Sequence, residues 1–456
     1  VLQSGQRVLY QPLSKVIHYE GVTSGTDISA GAKKHQAINR SVFTSAWASV
    51  LENKPGNGDL EAYEKLPPGK KRILVIDHHV PMPDRDSGSL RMSQILNILH
   101  RLGHRVTFAP DNLADIPPYG DNLRKGGIEL IHYPHANSIR SYLQKDGGKF
   151  DTIILSRCDF AAKHIDDVRR FAPQARVIFD TVDLHFLRTQ REAGVTKDSA
   201  IGQIAKEKET TEYLLIDQTD ETWVVSTAER ELLAQRRPGK PVHVVSNIVD
   251  VLGSATPFSL RKDFLFIGSF QHPPNVDAMV WFRREVYDRV RRCLGDAKFY
   301  IIGDKAPPEI IALADENVIV TGLQPDVALF FNNVRLSIAP LRFGAGVKGK
   351  INQSMGFGVP VVATSLAAEG MGLTDRHDVL IADDPDTFAA ALSELYQTEE
   401  LWQRLSANGL RLTRARFSAE AAEAALSRLL NEEVDDGLSE KGCVSEAQLA
   451  SLAASE

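Results

Sequence analysis

Short apolar runs recur along the chain and alternate with stretches that have the apolar spacing of helices. The runs are continuous rather than alternating with polar residues, which is typical of strands buried on both faces of a parallel sheet. The first series covers residues 72–77, 104–110, 128–134, 150–156, 175–183, 221–226 and 242–247. Helical spacing between them, as at residues 89–102, predicts a doubly wound parallel sheet.

The pattern restarts at Asp263 and predicts a second sheet of the same kind. Its strands are expected at residues 264–270, 298–304, 317–322, 336–341, 360–364 and 378–383. Two such units of similar size enclose a cleft, which is a favoured position for a ligand site. The predicted fold class is therefore α/β, with two Rossmann-like doubly wound domains facing a cleft and a short N-terminal α/β extension.

The two ends of the chain have other patterns. The N-terminal part offers two apolar runs, a polar loop and an amphipathic helix over residues 36–51, and a linker rich in Pro, Gly and charge follows. Residues 386–430 have helical spacing, with Ser418 as a candidate N-cap. The residues from Asn431 onward are mostly acidic or small. These shifts predict six segments: 1–53, a linker 54–71, domains 72–250 and 251–415, a helix 416–432, and an acidic tail 433–456.

Composition narrows the class of protein. The chain has 456 residues, 25% charged and 43% hydrophobic, as in ordinary globular proteins. The net charge of -6 argues against a dedicated nucleic-acid binder. Cys158, Cys293 and Cys443 are isolated, which favours a reducing, cytoplasmic setting without a disulfide framework or zinc site. No apolar run approaches the ~20 residues of a membrane span. Peripheral contact with the inner face of a membrane stays compatible with this composition.

The stretch Arg335–Thr364 carries the clearest candidate chemistry. An apolar strand is followed by a basic glycine loop, a helix predicted from Ile351, and a second apolar strand. This order of elements brings backbone N–H groups and a helix N-terminus to an anionic ligand. Lys348 and Lys350 add positive charge at the same place. The stretch predicts a phosphate site for a nucleotide-linked ligand.

The same loop has an alternative interpretation, because Gly344–Lys350 fits the spacing G-x-x-x-x-G-K of a P-loop. A P-loop needs Ser or Thr at the next position to hold magnesium, and residue 351 is Ile. The loop also comes late in its unit. A different loop with the same anion-binding physics is favoured over an ATPase or kinase.

Two further motifs follow predicted strands of the first half. His185 comes just past a strand, where it can either reach a ligand or serve as a hydrogen-bonded structural histidine. Asp84-Arg85-Asp86 has the D-x-D form that binds divalent metals. Its place directly after the first strand favours an N-cap or turn role, so no metal ligand is predicted.

Several motifs occur in an order that resembles the donor-binding half of family 4 retaining glycosyltransferases of the GT-B fold. They are FIGSFQHPPNVDAMVWF, YIIGD, TGLQPD, IAPLRFGAGVKGKINQSMGFGVPVVAT and AAEG. In the first half, ILVIDHHVP, DSGSLRM and IFDTVDLHFLR resemble a branch found in bacterial surface-polysaccharide clusters. The resemblance covers about Arg72–Leu430, and it implies that the helix 416–432 returns to the first domain.

The resemblance implies that a nucleotide-diphosphate sugar binds the second domain and that a glycan or lipid-linked acceptor binds mainly the first. It implies catalytic roles for His185, Lys348 and Lys350. It implies donor contacts for Gly268, Ser269, Gly303, Arg342, Gly344, Gly346, Gln353 and Glu369. In this class, lysines and helix N-termini stabilise the departing diphosphate, so no cofactor or metal is expected. Retention of configuration is implied by the family alone.

The chain departs from the family pattern at four positions. Many relatives carry an arginine and a lysine where this chain has Ser269 and Pro274, and two glutamates where it has Ala345 and Gln353. Phosphate charge would then come from Arg342, Lys348 and Lys350. Two alternatives stay open at this point. One is a sugar-nucleotide epimerase related to GT-B proteins, and the other is a non-catalytic nucleotide-sugar-binding module of a polysaccharide synthase.

A second resemblance concerns the N-terminus. Tyr10–Gly21 resembles the closing segment of family 2 glycosyltransferases of the GT-A fold, in which a histidine at the position of His18 often completes the metal site. The rest of such a domain would lie upstream in the parent chain. We therefore expect residues 1–53 to be the remnant of a preceding glycosyltransferase domain, and a packing or surface role for His18 is the simpler alternative.

Overall fold

The computed structural model describes Ile17 and residues 34–52 and 65–431. The chain divides into two compact units between Lys70 and Lys71. In the first unit, helices α1 (His35–Ala46) and α2 (Ala48–Leu51) replace the single helix predicted over residues 36–51. Trp47 separates them because its φ of -114° and ψ of 17° are not helical. The predicted N-terminal strands, His18 and the acidic tail lie outside the described residues.

The first sheet of the second unit has seven parallel strands, as the continuous apolar runs predict. They are β1 (Arg72–Asp77), β2 (Arg105–Pro110), β3 (Glu129–Leu130), β4 (Thr152–Ser156), β5 (Arg176–Asp180), β6 (Glu221–Val224) and β7 (Val242–Val244). Their order is β3-β2-β1-β4-β5-β6-β7. Val75 at the centre of β1 lies opposite Phe108 and Ile154, and all three are fully buried or nearly so.

Helices connect these strands. The helices are α3 (Ser87–Arg101), α4 (Tyr119–Lys125), α5 (Ile139–Asp146), α6 (Cys158–Phe171), α7 (His185–Thr196), α8 (Ser199–Gln218) and α9 (Thr227–Arg236). Helix α3 begins at Ser87 because the carboxylate of Asp86 accepts a hydrogen bond from the backbone N–H of Ser89 at 2.8 Å. The third residue of the D-x-D motif is thus an N-cap.

The second sheet has six parallel strands. They are β8 (Asp263–Ile267), β9 (Phe299–Ile302), β10 (Val318–Gly322), β11 (Val334–Ala339), β12 (Val361–Ala363) and β13 (Leu380–Ile381). Their order, β10-β9-β8-β11-β12-β13, places the topological switch between β8 and β11. The first sheet has its switch between β1 and β4. Ligands of such sheets bind beyond the carboxyl ends of the strands at these points.

Helices of the second half cover both faces of that sheet and continue to the end of the described chain. They are α10 (Pro273–Trp281), α11 (Tyr287–Leu294), α12 (Pro308–Ile311), α13 (Ala328–Asn333), α14 (Gly349–Gly356), α15 (Ser365–Ala368), α16 (Pro385–Gln397), α17 (Glu399–Phe417) and α18 (Ala419–Asn431). A π-helical turn, Phe282–Val286, joins α10 to α11. Helix α14 starts two residues earlier than the sequence pattern predicts.

Several strands are shorter than the apolar runs that predicted them. Strand β5 stops at Asp180, although the run continues to Asp183. The reason is local, because Val182 has a φ of 63°, which leaves the extended region. Thr181 and Leu184 stay fully buried in the turn that follows. The apolar run therefore indicates which residues are buried, and these continue past the end of the hydrogen-bonded strand.

The last helix packs on the first sheet. Leu426 and Leu430 of α18 belong to the same buried cluster as Ile73 and Val75 of β1. On the surface, Arg101 of α3 donates a hydrogen bond to the Glu423 carboxylate at 2.8 Å. Helix α18, which follows the second half in the chain, therefore packs on the first half.

Candidate active site

The glycine loop between β11 and α14 lies against the first half. A methyl group added at Gly349 would come within 2.5 Å of the Ser87 Cβ atom, and one at Gly346 within 3.0 Å of the Asp183 Cβ atom. Gly346 also has a φ of 67°, which favours glycine. The side-chain amide of Asn247 donates to the Val347 carbonyl at 3.0 Å. The start of α14 is therefore inside the cleft between the two sheets.

Lys348 is the N-cap residue of α14 and is 7% exposed. Its ammonium donates to the carbonyl oxygens of Ala345 at 2.7 Å and Gly346 at 2.6 Å, which closes the loop on itself. Burial lowers the pKa of Lys348 to about 8, although the carboxylates of Glu229 and Asp183 act in the opposite direction. The Lys348 ammonium is therefore a buried positive charge whose hydrogen-bond partners are backbone carbonyl oxygens.

Lys350 is two residues after Lys348, in the first turn of α14, and its side chain lies beside the end of β8. Its ammonium donates to the Asn275 side-chain oxygen at 2.9 Å and lies 5.1 Å from the centre of the Phe266 ring. Removal from water, followed by the charge of Lys348, lowers its pKa to about 7. Within residues 65–431 neither lysine forms an ion pair with a carboxylate. Two neighbouring ammonium groups of this kind favour an anionic ligand.

The predicted donor residues at the ends of β8 and β9 surround Asn275. Its side-chain N–H group donates to the Ser269 carbonyl at 2.6 Å. A methyl group at Gly268 would lie 2.8 Å from the same amide nitrogen, and one at Gly303 would lie 2.0 Å from the Gly268 carbonyl oxygen. The backbone therefore approaches closely here, and Gly268, Ser269 and Gly303 come together beside Lys350.

His185 is the first residue of α7 and is 7% exposed. Its Nε2 atom lies 3.3 Å from a carboxylate oxygen of Asp183, while its buried Nδ1 atom has no hydrogen-bond partner among the described residues. Burial opposes the charge on Asp183, but Arg188, His185 and Arg157 together hold its pKa well below the usual range. Since Asp183 also faces Gly346, the structure brings His185 and the glycine loop together.

Glu369 lies at the mouth of the cleft and is paired across it. Arg191 of α7 donates to both carboxylate oxygens, at 2.6 Å and 2.8 Å, and to the Gly344 carbonyl at 2.8 Å. Sequence reasoning missed both Arg188 and Arg191. A signal was present, because His185, Arg188 and Arg191 recur every third residue and so share one face of a helix.

Two other predicted donor residues have different surroundings. Arg342 is 40% exposed on its side chain and donates from Nε to Asp277 at 2.8 Å, so its charge is already paired. Gln353 is half-buried on α14. Its neighbour Asn352 is fully buried, and neither of its amide atoms has a partner among the described residues. The contribution of Arg342 and Gln353 to donor binding stays a prediction.

His272, which the sequence pattern did not single out, is the N-cap residue of α10. Burial lowers the pKa of His272, and the positive charge of Arg188 lowers it further. The carboxylates of Asp86 and Asp183 raise it. All three of these charged residues belong to the first half. Lys350 of the second half also lowers the pKa of His272, so this residue lies within reach of charges from both halves.

The first wall of the cleft also contains a charged cluster at the ends of β1 and β4. The Asp77 carboxylate accepts from Arg157 Nε at 2.9 Å and contacts His78 Nδ1 at 2.9 Å. Burial would raise the pKa of Asp77, but Arg157 and His78 lower it to about 2. Arg157 has a φ of 67°, and Val182 beside it in the fold has a φ of 63°. Such backbone strain in non-glycine residues concentrates at functional sites.

The described part of the chain contains no group of three or more His, Cys, Asp or Glu side chains arranged to hold a metal ion. Within the D-x-D motif, Asp86 caps α3 and Asp84 accepts a hydrogen bond from the Tyr119 hydroxyl at 2.8 Å. Among the helices of this same part, none combines the length and the apolar character needed to cross a bilayer.

Comparison with known proteins supports the interpretation of the second half. Residues 261–398 match the family model "Glycosyl transferases group 1". A stretch of 134 residues is 28% identical to an "Uncharacterized 44.6 kDa protein in cps region" of Klebsiella pneumoniae, covering 27% of this chain and 34% of that protein. The chain thus matches about a third of the length of this curated relative.

Solved structures resemble most of the chain in fold. Sucrose-phosphate synthase from Thermosynechococcus elongatus superposes with a TM-score of 0.60 at 13% identity, covering 78% of this chain and 98% of that one. Anabaena Alr3699/HepE in complex with UDP-glucose gives 0.59 at 12%, covering 79% and 99%. WaaG, a glycosyltransferase involved in lipopolysaccharide biosynthesis, gives 0.54 at 12%, covering 78% and 99%. The chain has the GT-B fold, and its second half resembles the group 1 glycosyl transferases.

Proposed function

We propose that this protein is a glycosyltransferase that moves a sugar from a nucleotide-diphosphate sugar to a glycan or lipid-linked glycan. One observation carries the proposal: the ammonium groups of Lys348 and Lys350 lie at the start of α14, inside the cleft, with no carboxylate partner among the described residues. The same loop lies against Asp183, which contacts His185. A diphosphate placed there would accept hydrogen bonds from the first amides of α14 and from both lysines.

The donor is assigned to the second half for physical reasons. The close packing at Gly268 and Gly303 brings the ends of β8 and β9 beside Asn275, which accepts a hydrogen bond from Lys350, the proposed phosphate ligand. A bound diphosphate would also reverse the effect of burial on the pKa of Lys350, so that the lysine keeps its proton when the ligand is present. The similar Anabaena HepE structure is a complex with UDP-glucose, which is a donor of the class proposed.

The chemistry follows from this placement. As the bond between the sugar and the diphosphate breaks, negative charge grows on the leaving phosphate, and Lys348, Lys350 and the helix N-terminus stabilise it. The sugar, which becomes positively charged, faces the His185–Asp183 pair of the first half. No step in this scheme requires a metal or cofactor. We further propose retention of configuration and hexosyl transfer, in line with the family 4 resemblance.

The biological setting is also part of the proposal. The relative from Klebsiella pneumoniae is described by its place in a cps region. We therefore propose a role in bacterial surface-polysaccharide synthesis at the cytoplasmic side of the membrane, with the acceptor on the first half. An upstream glycosyltransferase domain in the parent chain belongs to the same proposal.

A donor screen with product analysis tests the function. The purified protein is incubated with UDP-, GDP- and dTDP-sugars, with and without a panel of glycans and lipid-linked glycans. We expect acceptor-dependent release of nucleoside diphosphate, and a loss of about 100-fold or more in kcat/KM for Lys350→Ala and Lys348→Ala. Lys125→Ala, an exposed lysine on α4, is the matched control and should retain activity.

The alternatives predict different products. An epimerase would convert the sugar nucleotide without any acceptor. A non-catalytic module would bind one class of sugar nucleotide and release no diphosphate with any acceptor. If transfer occurs and neither lysine variant changes it, the placement of the donor diphosphate at α14 is wrong.

A further inference from the structure

The first turn of α7, which contains His185, is held by two buried glutamates from other helices. The backbone N–H groups of His185 and Phe186 donate to the two carboxylate oxygens of Glu212, at 2.9 Å and 2.8 Å. The preceding N–H, of Leu184, donates to Glu229 at 3.2 Å. Three consecutive amides at the start of the helix are thus satisfied by tertiary contacts.

This arrangement replaces an ordinary helix cap. The N-cap residue of α7 is Leu184, whose side chain cannot accept a hydrogen bond, so the first amides of the helix have no local partner. A Ser or Asp at that position would satisfy them locally. Instead, Glu212 of α8 is fully buried and Glu229 of α9 is 3% exposed. Burying charged carboxylates is costly, so the arrangement calls for a role beyond capping.

Each glutamate is electrostatically coupled to one candidate site residue. Burial raises the pKa of Glu212 to about 7, and the charge of His185 opposes this rise. Burial likewise raises the pKa of Glu229, as does the charge of Asp183, and Lys348 opposes this rise. Glu212 therefore lies against the backbone of His185, and Glu229 interacts with the charge of Lys348. Asp183, at the end of the same turn, and Cys158 of α6 are the other titratable groups coupled to Glu212.

Neighbouring contacts fix the direction of His185. Next to Glu212 on α8, the ring of Tyr213 lies 5.5 Å from the ring of Phe186, which is buried. Helix α8 therefore holds residues 185 and 186 by both backbone and side chain. On its other side, His185 contacts Asp183, which faces Gly346 of the glycine loop. A shift of α7 would move the imidazole relative to the donor site.

We propose that Glu212 is a positioning residue that fixes the His185 imidazole toward the donor sugar, with Glu229 supporting the same turn. This proposal rests on the proposed function only for its kinetic consequences. A Gln at residue 212 keeps the size of the side chain but offers one acceptor oxygen in place of two. One of the amides of His185 and Phe186 then loses its partner, and the negative charge against the backbone of His185 is removed.

The first test does not require activity. Hydrogen–deuterium exchange of the wild-type protein should show protection of the Leu184, His185 and Phe186 amides, which in an uncapped helix start would exchange quickly. Glu212→Gln should lose this protection at His185 or Phe186, while the Leu184 amide, which donates to Glu229, stays protected. In protein labelled with 13C at histidine Cε1, the same variant should shift the His185 resonance. Unprotected wild-type amides, or an unchanged His185 resonance in the variant, would overturn the proposal.

The second test uses kinetic coupling with UDP-glucose, or with another donor accepted by the wild-type enzyme. Glu212→Gln should lower kcat by about 10- to 100-fold with less change in the donor KM, because a small displacement of a catalytic group costs that much. In a His185→Ala background it should have less than about a twofold effect. The matched control is Glu221→Gln. Glu221 is buried at the start of β6 and pairs with Arg176 at the start of β5.

The outcomes separate the two proposals. Equal losses from Glu212→Gln with and without His185 would show a general structural role and overturn the positioning of His185. If the wild-type protein transfers no sugar from any donor, the proposed function fails, while exchange and resonance shifts still decide whether Glu212 holds His185.

Discussion

Arg191 and Glu369 form a bidentate ion pair between the two halves of the cleft, with nitrogen–oxygen distances of 2.6 Å and 2.8 Å. Arg191 belongs to the first half, on the helix that His185 begins, and Glu369 follows α15 in the second half. The arginine also donates to the Gly344 carbonyl, so one side chain joins α7, the glycine loop and the turn after α15.

This contact predicts a coupling energy between the two positions. Because the Arg191 and Glu369 side chains are 25% and 37% exposed, solvent weakens the pair. A double-mutant cycle of Arg191→Ala and Glu369→Ala on donor binding should give a coupling of about 0.5–1 kcal/mol, the range for partly exposed pairs. The same cycle on Arg376 and Glu394, a pair within the second half, should leave donor binding unchanged. Equal couplings for the two pairs would show that Arg191 has no role in closing the cleft.

The closeness of Gly349 to Ser87 predicts a steric effect on cleft closure. Gly349→Ala would place a methyl group 2.5 Å from the Ser87 Cβ atom, and backbone on both sides limits how far it can move. Overpacking of this kind costs about 1–3 kcal/mol, so donor affinity should fall by about 5- to 150-fold. Small-angle X-ray scattering should show a larger radius of gyration.

A second substitution makes this prediction specific. Ser87→Gly removes the clashing Cβ atom and should restore both donor affinity and radius of gyration in the Gly349→Ala background. Gly148→Ala, where a methyl group meets nothing within 4 Å, should have no effect. Failure of Ser87→Gly to rescue would mean that the damage is to the loop itself rather than to closure.

Local patterns in the sequence were sufficient for the two sheets and for most of the glycine loop. Continuous apolar runs report strands buried on both faces, and Lys348 and Lys350 lie within a single strand–loop–helix unit. The Arg191–Glu369 pair was out of reach, because the two residues are 178 positions apart and no local pattern indicates that they contact each other. The same is true of Glu212, whose isolated place on α8 gives no sign of burial. These contacts join segments that are far apart in the chain, so patterns among neighbouring residues do not predict them.

The buried pair Arg91–Asp180 predicts a large effect on stability. The guanidinium of Arg91 on α3 donates to both oxygens of Asp180, at 2.9 Å and 2.8 Å, and both side chains are almost fully buried. Removing one partner leaves an uncompensated buried charge, so Arg91→Met should lower the free energy of unfolding by about 3–5 kcal/mol. Urea denaturation measures this difference.

Two comparisons test the reason for that loss. Arg91→Met combined with Asp180→Leu should be less destabilising than Arg91→Met alone, because no charge is then left buried. Arg169→Met should cost about 1 kcal/mol or less, since its pair with Asp220 is 33% and 46% exposed. If the double substitution is as harmful as the sum of its parts, packing rather than charge explains the effect.

The lowered pKa of Lys350 predicts that both stability and anion binding depend on pH. In the folded protein this lysine loses its proton near pH 7, while in the unfolded chain it keeps it to about pH 10.5. Between these values the unfolded state binds more protons, so the stability of the unliganded protein should rise with pH. Lys350→Met should flatten this rise in a series of urea denaturation curves.

UDP binding should change in the opposite direction, because a diphosphate needs the protonated lysine. Calorimetric affinity for UDP should fall as the pH rises from 7 to 9, with Lys348, whose pKa is about 8, contributing to the same slope. Lys350→Arg keeps its charge throughout this range and should bind UDP with a shallower pH dependence. His272 does not interfere, since its pKa is lowered from an ordinary value of 6.5 and lies below the window. An equally steep decline in Lys350→Arg would show that Lys350 does not contact the phosphates.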